Sequence, residues 1–278
     1  MSKELPYTVI DGIKCFSLEV ASSYTDYPDE GFDLTDKTEE GSFWVSSRNR
    51  LFKSIIKRYQ SQTGKTNFLE IGCGNGGFIR QIVDNHNLEI TGSEIYLKGL
   101  HYAKKSLADV NFIQFDVTKG CIGELFDMIV AFDVLEHIEN DVEAISNINQ
   151  MLAKNGIMVL SVPQHMFLWG KLDEIVKHKR RYSRKELLKK LETNGFEISY
   201  CTSFLFLLFP LMLVSRAFDK GASTSNSVEK ELEKRVKFSI LMNIVFDQLM
   251  KIDELLIKWG FSLPYGGTLV IVAKKSSI

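Results

Sequence analysis

Three histidines and a run of cations carry the most evident chemical capacity in this 278-residue sequence. His137 lies in "LEHI", His165 in "SVPQH" and His178 in "KHKRRYSRKE". An imidazole titrates near neutrality, so it can take a proton from a reacting hydroxyl or ammonium group. His165 and His178 share one long connection after an apolar run, which makes both candidate general bases. Arg180, Arg181 and Tyr182 follow at once, and a guanidinium fork suits a carboxylate or phosphate on an incoming acceptor. The competing reading of the same run is a structural ion-pair loop leading into a helix, because Ser183 and Glu186 form an S-x-x-E capping box. In "FWVSSRNR", Trp44 is a candidate lid over the acceptor, and Arg48 can pair a ligand carboxylate through its fork. The same residues also fit the solvated basic face of an amphipathic helix.

A second constellation is "LEIGCGNGGF", residues 69 to 78. Gly72, Gly74 and Gly76 allow a tight turn and close approach of the backbone to a ligand, beside a helix start with unpaired amides. The spacing of Gly72, Gly74 and Gly77 also satisfies G-x-G-x-x-G, the fingerprint of dinucleotide-binding folds. Glu94 closes the next apolar run, where a carboxylate accepts hydrogen bonds from both hydroxyls of a ribose under either reading. The loop alone therefore leaves a nicotinamide-dependent oxidoreductase open.

These residues need elements to hold them. Short apolar runs, "NFLEIG", "LEITGSE", "VNFIQF", "FDMIVAF" and "GIMVLSVP", alternate with amphipathic segments near 76–84, 97–107 and 141–153. Such alternation predicts an α/β fold with a parallel sheet and helices on both faces, its ligands beyond the carboxyl ends of the strands. A helix over 184–193, a strand "FEISYCTSF" and a last strand in "GGTLVIVAKK" complete it, with "DKGASTSNS" and a long helical pattern from Val228 to Leu256 between the last two strands. Residues 1–45 are polar and turn-rich apart from a brief alternation in "IKCFSLEV", which fits a strand or small hairpin, and read as a lid or appendage. A cofactor-binding domain then spans 46–205 and 263–278, with a helical insertion at 206–262.

Taken together, Glu70-x-Gly72-x-Gly74-x-Gly76, "GSE", "FDV" at Phe115 to Val117, "FDMIVAFDVLEHI" and "MLAKNGIMVLSVP" resemble the class I S-adenosylmethionine-dependent methyltransferases in order and spacing, over roughly residues 65–163. The resemblance implies a Rossmann-like, mostly parallel seven-stranded sheet and S-adenosylmethionine as cofactor. It implies that Glu70 and the backbone from Gly72 to Gly76 meet the methionine part, Glu94 the ribose and Asp116 the adenine amino group. Ile95, Phe115 and Val117 would enclose the adenine; Phe132, Asp133 and His137 would line the methionine end, with Arg48 on its carboxylate. "GSFWVSSRNRLF", "FDVLEHIEND", "SVPQH" and "HKRRYSRKEL" further resemble a bacterial and archaeal subgroup associated with sugar and cell-envelope synthesis. The expected reaction is methyl transfer to oxygen or nitrogen of a small-molecule, sugar or lipid-linked acceptor. The oxidoreductase is disfavoured, since it gives no reason for the fourth- and fifth-strand motifs. A noncatalytic cofactor-binding partner protein is the remaining alternative.

The bulk properties narrow the partners. With 34 Lys and Arg against 35 Asp and Glu, the chain lacks the basic bias of nonspecific nucleic-acid binders, so no nucleic-acid partner is expected. The four cysteines form no C-x-x-C pair, which predicts no metal site and a reduced, cytoplasmic protein. The apolar window "FLFLLFPLMLV" is shorter than the roughly 20 residues of a spanning helix. It predicts burial, a homodimer contact or peripheral association with the inner face of a membrane.

Overall fold

The computed structural model describes residues 5–21, 42–62, 64–219 and 238–276. Its strands are β1 (Thr8–Ile10), β2 (Ile13–Cys15), β3 (Thr66–Ile71), β4 (Leu88–Glu94), β5 (Asn111–Gln114), β6 (Phe126–Phe132), β7 (Leu152–Pro163), β8 (Phe196–Phe204) and β9 (Thr268–Lys275). They form one sheet in the order β1-β2-β5-β4-β3-β6-β7-β9-β8. Neighbours from β2 to β7 pair in parallel, while β9 runs antiparallel between β7 and β8. Strands buried on both faces should be apolar at nearly every position, and β9 is: Leu269, Ile271 and Ala273 enter one core, Val270 and Val272 the other.

The helices are α1 (Leu18–Ala21), α2 (Phe43–Tyr59), α3 (Leu97–Ser106), α4 (Asp141–Met151), α5 (Lys171–Ile175), α6 (Arg184–Thr193), α7 (Phe209–Asp219) and α8 (Ile240–Lys258). One core packs Ile145, Ile148 and Met151 of α4 with Leu187 and Leu191 of α6. The opposite core packs Phe52, Ile55 and Ile56 of α2 with Met250 and Ile257 of α8. Helix α6 starts as its capping signal predicts, with Ser183 Oγ accepting from the Glu186 amide at 3.2 Å. The Glu186 carboxylate itself pairs with Lys190 instead, 3.3 Å away.

Three expectations are corrected. The sheet has nine strands rather than seven, because residues 8–15 form a hairpin that joins its edge through β5 rather than standing off as an appendage. Alternation places Ile13 and Cys15 on one face, buried against Leu100 and Ala103 of α3, and an edge strand has unpaired backbone groups to offer. Most of the rest of 1–45 lies outside the described residues, as do "DKGASTSNS" beyond Asp219, Val228, Leu232 and Val236. Second, the helix expected over 76–84 is a series of turns around one short 3₁₀ segment, Ile79–Gln81. Gly72, Gly74 and Gly76 all have left-handed φ angles, which delays any regular helix. Third, β7 begins at Leu152 rather than Gly156, and its register with β6 shifts there, with Asn155 left-handed at φ 63°.

Helix α8 is locked to its neighbours by polar contacts. Arg50 of α2 meets Asp247 and Glu254 at 2.7 Å each, so it is a strut between helices. Buried Asp253 accepts from the Phe206 amide at 2.7 Å, anchoring the approach to α7. Burial pushes the Asp253 carboxyl up to about 6, against hydrogen bonds from the Phe206 and Leu207 amides that lower it. A folded-state value above the unfolded one gives stability that is complete below the unfolded value and lost as pH rises through the folded one. For Asp253 the window runs from about 4 to about 6. Asp253→Asn should therefore gain in Tm relative to the parent on going from pH 4 to pH 7.5, by the equivalent of up to about 3 kcal/mol. A Tm difference that is flat across that range in thermal melts would contradict this assignment.

Candidate active site

A cavity of about 290 Å³ opens beyond the carboxyl ends of β3, β4, β5 and β6. Its floor is the glycine loop. Gly72 has φ 71°, and a Cβ there would lie 2.6 Å from Val134 Cγ2, so only glycine fits. Gly72, Gly74 and Gly77 line the cavity, but Gly76 does not. A Cβ on Gly76 would meet Ala103 and Leu107 at 3.1 Å, which makes that glycine a packing requirement against α3 and its end rather than a ligand contact.

Glu94 shapes the loop. Its carboxylate accepts from the amides of Gly74 at 3.0 Å, Ile95 at 2.8 Å and Tyr96 at 3.2 Å. Burial nonetheless raises its pKa, more than those three hydrogen bonds lower it. Asp116 uses Oδ1 for the amide and hydroxyl of Thr118, both at 2.8 Å, while its buried Oδ2 has no hydrogen-bond partner. Asn75 is a cavity residue that the sequence reading missed, although it stands inside "GCGNGG". Its Oδ1 accepts from the Gly77 amide and its buried Nδ2 has no partner. Ile95, Phe115, Val117 and Phe132 supply apolar walls. Arg48 reaches the cavity from α2, pairing Asp133 at 2.8 Å and donating to the Phe132 carbonyl at 3.4 Å.

Charge and orphaned atoms decide what this cavity accepts. Glu70, Glu94, Asp116 and Asp133 line it against the one guanidinium of Arg48. A sulfonium and an ammonium are attracted by such walls, whereas a pyrophosphate beside the glycine loop would face carboxylates. The free Asp116 Oδ2 suits an amino donor such as that of adenine, and the Asn75 amide suits a carboxylate or carbonyl oxygen. The donor set thus fits S-adenosylmethionine, with Arg48 available to its carboxylate and Glu94 to its ribose.

The histidines and the basic run are arranged differently from the expectation. His137 lines the cavity, and its ring meets that of His178 at 4.8 Å between centroids. His178 Nδ1 lies 2.8 Å from Oδ1 of the fully buried Asp173, five residues earlier. That contact fixes the tautomer, leaving Nε2 as the acceptor, 3.7 Å from Glu136 Oε1. Glu136 is wholly buried, and burial, reinforced by the charge of Asp133, lifts its pKa well above the usual carboxylate range. Glu136, His137 and His178 place ligand atoms within 4.8 Å of one another, a spacing compatible with a metal ion where the sequence reading expected none. His165 does not line the cavity. It follows β7 with φ 66°, stacks on Phe167 and faces Phe209 and Tyr265. Burial, then Arg181 and Arg184, lower its pKa.

Two of the four expected acceptor contacts, Tyr182 and Arg181, turn inward, and Arg180 is engaged at the partly exposed edge of the same network. Tyr182 is fully buried, donating to the Asp141 carboxylate at 2.7 Å and the Leu135 carbonyl at 3.1 Å. Arg181 is buried against Asp173 at 2.8 Å, and Arg180 is held by the Glu139 carbonyl and by Asp141. Trp44 stacks on Phe204, 6.2 Å between centroids, and lies outside the cavity lining. The cause is a set of buried carboxylates, Asp173 and Asp141, whose desolvation is offset only when cations and hydroxyls close on them. Their signal was faint: Asp173 is a single acid eight residues before Arg181, and Asp141 stands 41 residues before Tyr182.

Comparison with known proteins agrees with this geometry. A family model described as a methyltransferase domain matches residues 42–200. A ubiquinone biosynthesis O-methyltransferase of Rickettsia canadensis is 24% identical over 168 residues, covering 54% of this chain and 71% of that protein. The chain spans less than half the length of further Rickettsia proteins of that name. Among solved structures, phosphoethanolamine N-methyltransferase 2 of Haemonchus contortus, in complex with S-adenosyl-L-methionine, aligns with a TM-score of 0.57 at 18% identity, over 94% of this chain and 60% of that one. The [4+2]-cyclase SpnF aligns with a TM-score of 0.59 at 17% identity, over 99% of both chains. Its motifs, its acid-lined cavity beyond the parallel strands and the matched model agree: the chain belongs to the methyltransferase-domain family, on the fold of the class I S-adenosylmethionine-dependent methyltransferases.

Proposed function

We propose that the chain transfers the methyl group of S-adenosylmethionine to a hydroxyl oxygen of a small or lipid-linked acceptor. When bound, the cofactor supplies an electrophilic methyl group on a sulfonium sulfur. Glu94, Asp116 and Asn75 bind and orient it, and Arg48 holds its carboxylate end, so that an acceptor oxygen entering past His137 is brought in line. The observation that carries the reading is the Asp173–His178 pair. A hydroxyl must lose its proton as it is methylated, whereas a free amine need not, and an oriented imidazole beside the cavity answers the first requirement. His178 Nε2 takes that proton, and Asp173 stabilises the imidazolium that results.

Glu136 lies beside this imidazole, 3.7 Å from Nε2, and burial, reinforced by the charge of Asp133, raises its pKa well above the usual carboxylate range. The O-methyltransferase names of the Rickettsia relatives support the oxygen acceptor. SpnF bears a different reaction name on a similar fold, so the fold alone does not carry this reading. No helix among the described residues is long and apolar enough to cross a membrane, so a lipid-linked acceptor would be met at a membrane surface.

Labelled S-adenosylmethionine with a panel of catechols, monophenols, sugars and alkyl amines tests the proposal. Transfer to a hydroxyl compound is expected, and His178→Ala should lower kcat roughly 10²- to 10⁴-fold while leaving cofactor affinity unchanged. Asp173→Asn should fall in the same direction. Activity confined to amines, or a His178→Ala enzyme as fast as the parent, would sink the reading. Asp116→Ala should weaken S-adenosylmethionine binding about tenfold in equilibrium dialysis, since the buried, unpartnered Oδ2 offered to the adenine amino group is removed.

A further inference from the structure

Helix α8 begins with an unusual exposure of apolar side chains. Ile240 is 81% and Leu241 72% exposed, and Met242, Ile244 and Val245 are exposed with them. At 100° per residue these five side chains fan over about 200° of the helix circumference. A flat protein partner covers a narrower stripe than that, and a second helix covers only a seam. The opening of α8 is tied to the start of α2, where the Phe43 amide donates to Asn243 Oδ1 at 3.2 Å, and Arg48 of the same α2 lines the cofactor cavity.

The same end of the sheet carries a second apolar surface. Exposed Leu211 and Val214 of α7 follow the carboxyl end of β8, and exposed Phe167 follows that of β7. The rings of His165 and Phe167 both meet Phe209, at 5.7 and 6.4 Å between centroids, and join this loop to α7. From Phe204 to Ser215 and from Phe238 to Phe246 the sequence has no charged residue, so nothing there repels an anionic surface or resists partial immersion.

We infer that the first turns of α8, with the outer face of α7 and Phe167, form a seat that inserts into the interfacial layer of a lipid bilayer, with the cavity mouth turned toward the membrane. A fluid interface surrounds a helix end on several sides at once, which the 200° fan requires and a rigid partner does not provide. Docking itself follows from this surface alone; that it delivers a lipid-linked acceptor rests on the methyl-transfer reading above.

Co-sedimentation with vesicles of phosphatidylcholine and phosphatidylglycerol tests the seat, at low and high salt. The parent should pellet at both salts, because the contact is apolar. Ile240→Ser/Leu241→Ser/Ile244→Ser, at positions outside the buried core, should partition at least roughly tenfold less while binding S-adenosylmethionine like the parent. A parent protein that stays in the supernatant, loses binding at high salt, or pellets equally with the triple variant overturns the inference. So does light scattering that finds a parent dimer, dissociated by the triple variant, with no vesicle binding; a second copy would then be the occupant. Cofactor binding by the triple variant separates a failed seat from a failed methyltransferase reading.

Discussion

One buried carboxylate holds the cofactor end of the molecule together. Glu94, at the last position of β4, takes hydrogen bonds from an amide of the glycine loop and from two amides of its own strand exit. The loop after β3 has left-handed turns at three glycines and no regular helix to stabilise it. Its shape therefore depends on acceptors from outside, and β4 supplies two: the Ser93 carbonyl, which accepts from the Cys73 amide at 2.9 Å, and the Glu94 carboxylate, which accepts from the Gly74 amide at 3.0 Å. The cost of burying that charge is visible in its raised pKa, and the three amides offset part of it. Replacing the carboxylate would leave three donors facing a closed space, which disturbs the loop as well as any ribose contact.

The second half of the site is organised by Asp173 in the same way. It accepts from His178, Arg181 and the Gly170 amide, and those hydrogen bonds outweigh burial to hold its carboxyl below the ordinary value. A stretch that reads as a cationic surface thus becomes an inward-facing network, in which one imidazole is oriented and two arginines are consumed by structure. This network meets the cavity through His137, which lines it and packs its ring on His178. The two carboxylates sit in environments that drive their protonation apart, burial raising the pKa of Glu94 and hydrogen bonds lowering that of Asp173.

Much of this was legible before any coordinates. The strand runs ending at Glu94 and Phe132 and the helix over 184–193 fall where apolar runs and caps place them, because parallel strands buried on both faces leave a continuous apolar record. Gly72, Gly74, Glu94, Asp116 and Asp133 were legible because each follows a strand end, where the fold puts ligands. What stayed hidden depended on distant partners. The alternation in "IKCFSLEV" marked a strand or small hairpin, but with only three residues per strand nothing local showed that the hairpin at 8–15 would join the sheet edge through β5. The engagement of Arg180 and the inward turn of Arg181 and Tyr182 depend on Asp141 and Asp173, and no local pattern marks an acid as the buried partner of a cation. His165 stood at a strand end like the true cavity residues, yet its left-handed backbone and an aromatic cluster direct it elsewhere.

The central claim is that an acid-lined cavity on this fold selects a sulfonium cofactor over a dinucleotide. Isothermal titration calorimetry with S-adenosylmethionine, S-adenosylhomocysteine and the nicotinamide dinucleotides tests it most directly. The account predicts micromolar binding of both adenosyl ligands and none of the dinucleotides; micromolar binding of the dinucleotides alone would contradict it.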